Sequence, residues 1–118
     1  MAEEAIANLV AVGWFKEPHI SVLLSADFRC EYCGHDLLST FNDCFNAQAD
    51  HIYPRSKGGS EEVSNLAASC TTCNSLKWDY VPIGEDRAEQ IADAARYVLE
   101  QRKDQEASWI KYRELIGR

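Results

Sequence analysis

CEYCGHDLLSTFNDCFNAQADHIYPRSKGGSEEVSNLAASCTTCNSLK, residues 30–77, opens on one Cys-x-x-Cys pair and closes on another. Cys30 and Cys33 bracket one tight turn and Cys70 and Cys73 a second, each offering two sulfurs in the local geometry that tetrahedral zinc needs twice over. Gly34, directly after Cys33, permits the left-handed backbone that such knuckles often require. Two disulfides or four buried thiols are the competing reading. The spacing favours zinc, and so does an N-terminus that begins with acidic Glu3 and Glu4 and shows no secretory character. A four-thiolate site leaves no open coordination position, so Zn²⁺ here is expected to hold structure and clamp what lies between the pairs. Cys44 reads as a small buried apolar residue, and His35 would replace a thiolate only if one pair were strained.

Around this stretch the chain is short. With 118 residues it is expected to form one small domain with a helical extension, in which a structural metal contributes to folding. The apolar run from Leu9 to Phe15 is too short to cross a bilayer, so a cytoplasmic, reducing location with no membrane partner is expected. The net charge of −7 argues against gripping nucleic acid by bulk electrostatics. Between residues 30 and 80, however, the only lysines and arginines are Arg55, Lys57 and Lys77. The scarce positive charge thus falls inside the motif stretch.

Ile6, Leu9, Val10 and Gly13 recur at helical spacing, as do Ile20, Leu23, Leu24 and Phe28, predicting two short N-terminal helices over residues 1–26. Residues 27–53 read as extended, with Phe41 to Ile52 as a bent hairpin and Asp50-His51 on its last strand. Pro54 ends that strand, and Ser56 to Glu62 is rich in loop formers. Thr71 or Thr72 is expected to cap a short helix carrying Cys73, Asn74 and Lys77. The predicted order is strand, strand, loop, helix. Beyond Pro82 and Gly84, residues 81–118 are charged and helix-prone, with an apolar stripe at Ile91, Ala95, Val98 and Leu99 that resumes at Trp109, Ile110, Leu115 and Ile116. One long helix, or two with a break near Asp104, would pack on its own domain or form a homodimer contact.

Hydrolysis of a phosphodiester at neutral pH needs a base to activate water, a Lewis acid to absorb charge and a group that fixes the base. Asp50, His51, Asn65 and Asn74 are candidates for these tasks. Neighbours on a strand point to opposite faces, so Asp50 and His51 are expected to do different jobs. A carboxylate and an amide oxygen, from Asp50 and Asn74, are hard ligands that suit Mg²⁺ or Mn²⁺ completed by water and substrate. Neutral imidazole at His51 could take a proton near physiological pH, and Asn65 could hold that ring in its working tautomer. Each of these residues taken alone has a structural explanation; their joint placement between two knuckles is what points to chemistry.

Arg29-Cys-Glu-Tyr-Cys-Gly34, Ala49-Asp-His-Ile-Tyr-Pro-Arg-Ser-Lys-Gly-Gly59, Asn65-Leu66 and Cys70-Thr-Thr-Cys-Asn-Ser-Leu-Lys77 together resemble the HNH endonucleases over about residues 27–80. The resemblance implies an α+β fold in which a ββα-metal finger, stabilised by zinc on Cys30, Cys33, Cys70 and Cys73, is flanked by N-terminal helices and a long C-terminal helical segment. It implies His51 as general base, Asn65 as the residue that orients it, and Asp50 and Asn74 as holders of the divalent cation. Many members carry histidine where this chain has Asn74, which should disfavour softer metals at the catalytic site. Arg55 and Lys77 are candidates for contacts to the scissile or an adjacent phosphate, and Lys57 for following the backbone, though each could be a solvated charge.

The expected substrate is duplex DNA, nicked or cut with little sequence preference. Two other readings stay open: a zinc-stabilised binding or assembly module whose nuclease has lapsed, and an RNA-directed nuclease. The acidity also suggests weak binding to duplex unless salt is low or a basic partner protein delivers the enzyme.

Overall fold

The computed structural model describes residues 3–4, 7–8, 12–13 and 15–118. The expectation of a first helix built on Ile6, Leu9 and Val10 falls outside the described residues. Helix α1 (His19–Ser25) buries Ile20, Val22 and Leu23. Helix α2 (Phe41–Phe45) precedes strand β1 (Gln48–His51), and strand β2 (Leu66–Ser69) is followed by helix α3 (Thr71–Lys77) and helix α4 (Arg87–Ile116). Single 3-10 turns at Arg55–Lys57 and Val63–Asn65 shape the loop between the strands.

The strands pair antiparallel, with Gln48 opposite Ser69, Asp50 opposite Ala67 and His51 opposite Leu66. All four residues of β2 are buried, as expected of a strand covered on both faces. Its outer edge is closed by Glu31: the Glu31 N–H donates to the Ala68 carbonyl at 2.8 Å and the Ala68 N–H donates to Glu31 Oε2 at 2.7 Å. The finger is therefore strand, loop, strand, helix, and the second strand follows the loop instead of preceding it.

The predicted hairpin over Phe41 to Ile52 is replaced by α2 and β1. Thr40 decides this, because its side chain accepts from the Asp43 N–H at 3.0 Å while Asp43 Oδ2 accepts from the Thr40 hydroxyl at 2.8 Å. This reciprocal cap starts a helical turn where the apolar pattern suggested extension. In α3 the cap is Cys70, whose sulfur accepts from the Cys73 N–H at 3.4 Å; Thr71 instead donates to the Asn46 carbonyl at 2.9 Å.

Ile20, Leu23, Leu37, Ile52, Leu66, Ala94 and Val98 form the centre of the core, so α1 and the first half of α4 cover the sheet and the knuckles. Helix α4 runs unbroken for 30 residues, capped at its start by Asp86, which accepts from the Glu89 N–H, and at its end by left-handed Gly117. Arg87 ties its first turn to the finger through Glu31 Oε1 at 3.0 Å and the Leu66 carbonyl at 2.8 Å. Packing on the domain holds only to about Arg102; every residue from Lys103 to Arg118 is exposed. Among the described residues, no helix is long and apolar enough to cross a membrane.

Candidate active site

The first knuckle closes by two backbone bonds, from Gly34 N–H to the Cys30 carbonyl at 2.8 Å and from Cys30 N–H to the His35 carbonyl at 2.9 Å. Gly34 carries the turn at φ +79°, a conformation that a side chain would strain. The second knuckle is the start of α3. The fold brings Cys30, Cys33, Cys70 and Cys73 together with all four sulfurs within 4.8 Å of one another, and Cys33 Sγ lies 3.9 Å from Cys70 Sγ. Thiolates about 2.3 Å from a tetrahedral zinc are separated by about 3.8 Å, so the arrangement matches a closed, four-thiolate zinc site.

Electrostatics point the same way. Hydrogen bonds from the Cys70 and Cys73 thiols hold the Cys30 thiol far below its ordinary value, and the same contacts with Cys30 push Cys70 up to about 11 and Cys73 higher still. Four clustered sulfurs cannot all ionise without a cation among them. Cys44 is buried outside the cluster, and His35 pairs with Asp43 at 3.0 Å, so neither joins the metal set. That pairing, with help from Ser39 and Thr40, holds the Asp43 carboxyl down at about 2.

On β1, residues two apart share a face, which sets Gln48 and Asp50 toward α3 and His51 away from it. Asn74 and Lys77, three apart on α3, share the facing side. Asn74 accordingly donates through Nδ2 to Gln48 Oε1, while Lys77 Nζ lies 3.1 Å from Asp50 Oδ2 and donates to the His51 carbonyl at 2.9 Å. Asp50 Oδ2 also accepts from the Tyr32 hydroxyl at 2.6 Å. Burial first, and the Asp50 charge second, push the Tyr32 phenol far above its usual range, so it stays a donor.

Lys77 is fully buried, and the phosphate contact expected of it is not available in this arrangement. A four-carbon stem on the inward face of α3 can reach only β1, where its ammonium meets Asp50. The two side-chain partners of Asp50, Tyr32 and Lys77, converge on the same oxygen, Oδ2. The other carboxylate oxygen, Oδ1, takes part in neither bond. Asn74 likewise uses its nitrogen and leaves its amide oxygen out of the bond to Gln48. A carboxylate oxygen and an amide oxygen on adjoining elements suit a hard cation such as Mg²⁺ or Mn²⁺, with Tyr32 and Lys77 fixing the carboxylate from behind.

His51 faces the interstrand loop, where its Nε2 lies 2.8 Å from Glu61 Oε1. An ionised carboxylate only accepts, so Nε2 is the donor in this bond, and in the neutral ring Nδ1 is then the nitrogen with the free lone pair. The same bond holds the Glu61 carboxyl below its usual value. Asn65 does not touch the His51 ring. It clamps the loop instead, accepting from the Tyr53 N–H at 2.9 Å and donating to the carbonyls of Tyr53 at 3.2 Å and Ser60 at 2.9 Å. Gly59 allows the clamp to close, since a Cβ there would sit 1.8 Å from the Tyr53 carbonyl oxygen. Asn65 thereby fixes the loop that brings Glu61 to His51.

Arg55 lies exposed on this loop, 3.5 Å from Glu61 Oε1, and Lys57 is exposed nearby in sequence. Glu61 was not legible as a site residue: Glu61 and Glu62 stand side by side in a polar loop, and only the folded loop selects the first. Tyr32 was hidden between two cysteines as an ordinary knuckle filler.

Neither the curated proteins nor the solved structures compared with the chain give a match. Residues 30–79 match the family model described as HNH endonuclease, a span that contains both knuckles, both strands and α3. The two-strand, one-helix finger and the four-cysteine cluster both lie within this span, so residues 30–79 are similar to an HNH endonuclease domain in sequence and carry the finger such a domain needs.

Proposed function

We propose that the chain is a metal-dependent endonuclease that hydrolyses phosphodiester bonds of DNA, with His51 as general base. The observation that carries this reading is the His51–Glu61 bond of 2.8 Å, which commits Nε2 to the carboxylate and leaves Nδ1 as the atom that accepts a proton from water. Asn65 holds the loop on which Glu61 sits, so its part in orienting the base is exerted through the backbone of that loop. Asp50 Oδ1 and the Asn74 amide oxygen would hold Mg²⁺ or Mn²⁺. When bound, such an ion supplies charge neutralisation at the non-bridging and leaving oxygens.

Tyr32 acts through Asp50, and Lys77 through Asp50 and the His51 carbonyl, together keeping the carboxylate turned in one direction. Arg55 and Lys57 lie on the exposed rim of the loop and are the cations available to backbone phosphates. Zinc on the four cysteines holds the two ends of the finger together and takes no part in the reaction.

Relaxation of supercoiled plasmid by wild type and His51→Ala, each with Mg²⁺, Mn²⁺ and EDTA, tests the proposal once both proteins are shown to hold one zinc. Metal-dependent nicking that His51→Ala abolishes is the expected result. A folded, zinc-loaded wild type that leaves both DNA and RNA intact would sink it in favour of a binding or assembly module, a role consistent with the net charge of −7.

A further inference from the structure

Side-chain bridges join β1 to α3 at neighbouring positions. Asp50 meets Lys77, and Gln48, two residues earlier on the same face of the strand, meets Asn74, three residues before Lys77 on the helix. In the first bridge Lys77, with Tyr32, engages one carboxylate oxygen of Asp50 and leaves the other out of the bonds. The second bridge meets a harder version of the same problem.

A carboxylate presents an acceptor oxygen whichever way it turns. An amide does not: half a turn about the last bond of the Asn74 side chain exchanges an oxygen that can bind a cation for an NH₂ group whose hydrogens repel one. The two orientations have nearly the same shape, so packing cannot choose between them and a hydrogen-bond partner must. Packing is in any case loose here. Asn74 is half-buried and lines an open cleft of about 420 Å³ with Ser56, Ser75, Trp78 and Asp79.

The partner is Gln48, whose Oε1 accepts from Asn74 Nδ2. That bond commits the nitrogen to the strand and leaves the oxygen out of it. The reverse bond, from the Gln48 amide nitrogen to Asn74 Oδ1, would occupy the oxygen and offer N–H groups in its place. Pairing with Ser69 fixes Gln48 on the two-stranded ladder, so its place does not depend on the helix it contacts.

We propose that Gln48 is a positioning residue for the divalent cation: its side-chain oxygen holds the Asn74 amide in the orientation that leaves Oδ1 free to bind the metal. This role rests on Asp50 and Asn74 being the holders of Mg²⁺ or Mn²⁺, and Gln48 acts only through Asn74. Partners of this kind typically set metal affinity by about 10–100-fold.

Mn²⁺ uptake by the full, zinc-loaded chain tests it without recourse to cleavage, read as loss of the free-ion electron paramagnetic resonance signal. Wild type is compared with Gln48→Leu, Asn74→Ala and the double variant, each shown to hold zinc and to keep wild-type helicity. Gln48→Leu removes the acceptor and is expected to weaken Mn²⁺ binding about tenfold, and Asn74→Ala at least as much. The double variant should bind no worse than Asn74→Ala, because no amide remains to be oriented. Gln48→Glu, which can only accept, should bind Mn²⁺ at least as tightly as wild type. Should Gln48→Leu lose zinc, Gln48→Ala takes its place in the cycle.

Wild-type affinity in Gln48→Leu beside weak binding in Asn74→Ala overturns the proposal and leaves the metal reading standing. Additive losses in the double variant overturn it as well, since Gln48 would then reach the metal by another route. If wild type takes up no Mn²⁺, the metal reading and the role of Gln48 fall together.

Discussion

Lys77 Nζ lies 3.1 Å from Asp50 Oδ2 and 2.9 Å from the His51 carbonyl oxygen, so one fully buried ammonium joins α3 to two consecutive residues of the candidate site. It compensates the Asp50 charge and pins the strand that carries His51. Lys77→Met removes the counter-charge while keeping the stem, and is expected to destabilise the fold by about 3–5 kcal/mol, the range for breaking a buried pair. Adding Asp50→Asn should recover part of that loss. Denaturant melts of the two single variants and the double variant measure the coupling, and strictly additive losses would show that the pair is not one unit.

Zinc removal should be equivalent to unfolding. The sheet has two strands of four residues each, and the knuckle residues Cys30 and Cys73 are themselves core. Treatment with a strong chelator, or Cys73→Ser, is expected to abolish the cooperative thermal transition and the near-ultraviolet dichroism of the finger, with α4 retaining part of its helicity. A sharp transition surviving at zero zinc would assign the cluster no role in folding.

His51→Ala is expected to lower plasmid nicking by about 10²–10⁴-fold at little change in stability. Glu61→Leu should produce a smaller loss of turnover with substrate affinity unchanged or improved, because it removes the tautomer lock and one negative charge from the loop proposed to face the substrate. Equal activity of Glu61→Leu and wild type would leave the 2.8 Å contact without a catalytic role.

Asn65→Ala removes three hydrogen bonds that close the loop on Tyr53 and Ser60. A stability loss of about 1–3 kcal/mol is expected, with a loss of activity that follows from displacement of Glu61. Chemical shifts of the His51 ring report this directly, and an undisturbed ring in an inactive Asn65→Ala would mean that Asn65 acts by another route.

Thr40→Ala serves as a contrast. Loss of the α2 cap should reduce stability by about 1 kcal/mol and leave nicking untouched, since α2 contributes no residue to the His51 loop. A drop in turnover per folded molecule would tie α2 to the site.

The sequence alone determined what local spacing encodes. Two Cys-x-x-Cys turns fix their sulfurs within a few residues, Asp50-His51 precedes Pro54 on an extended stretch, and the charged, periodic run after Gly84 admits little but helix. Those features depend on neighbours in the chain, and they led to the zinc cluster, the finger and α4. Contacts between residues far apart in sequence were decided only by the tertiary structure. Lys77 looked like a surface cation because a lysine's default is water; packing α3 against β1 turned it inward, where Asp50 makes burial tolerable. Glu61 became the partner of His51 because Asn65 and Gly59 pull the loop shut, and nothing in a run of polar residues marks which carboxylate that closure will select. The strand order changed for the same reason: Leu66–Ser69 is a strand because β1, α1 and Glu31 bury it from every side, a property of its surroundings and not of its four small residues.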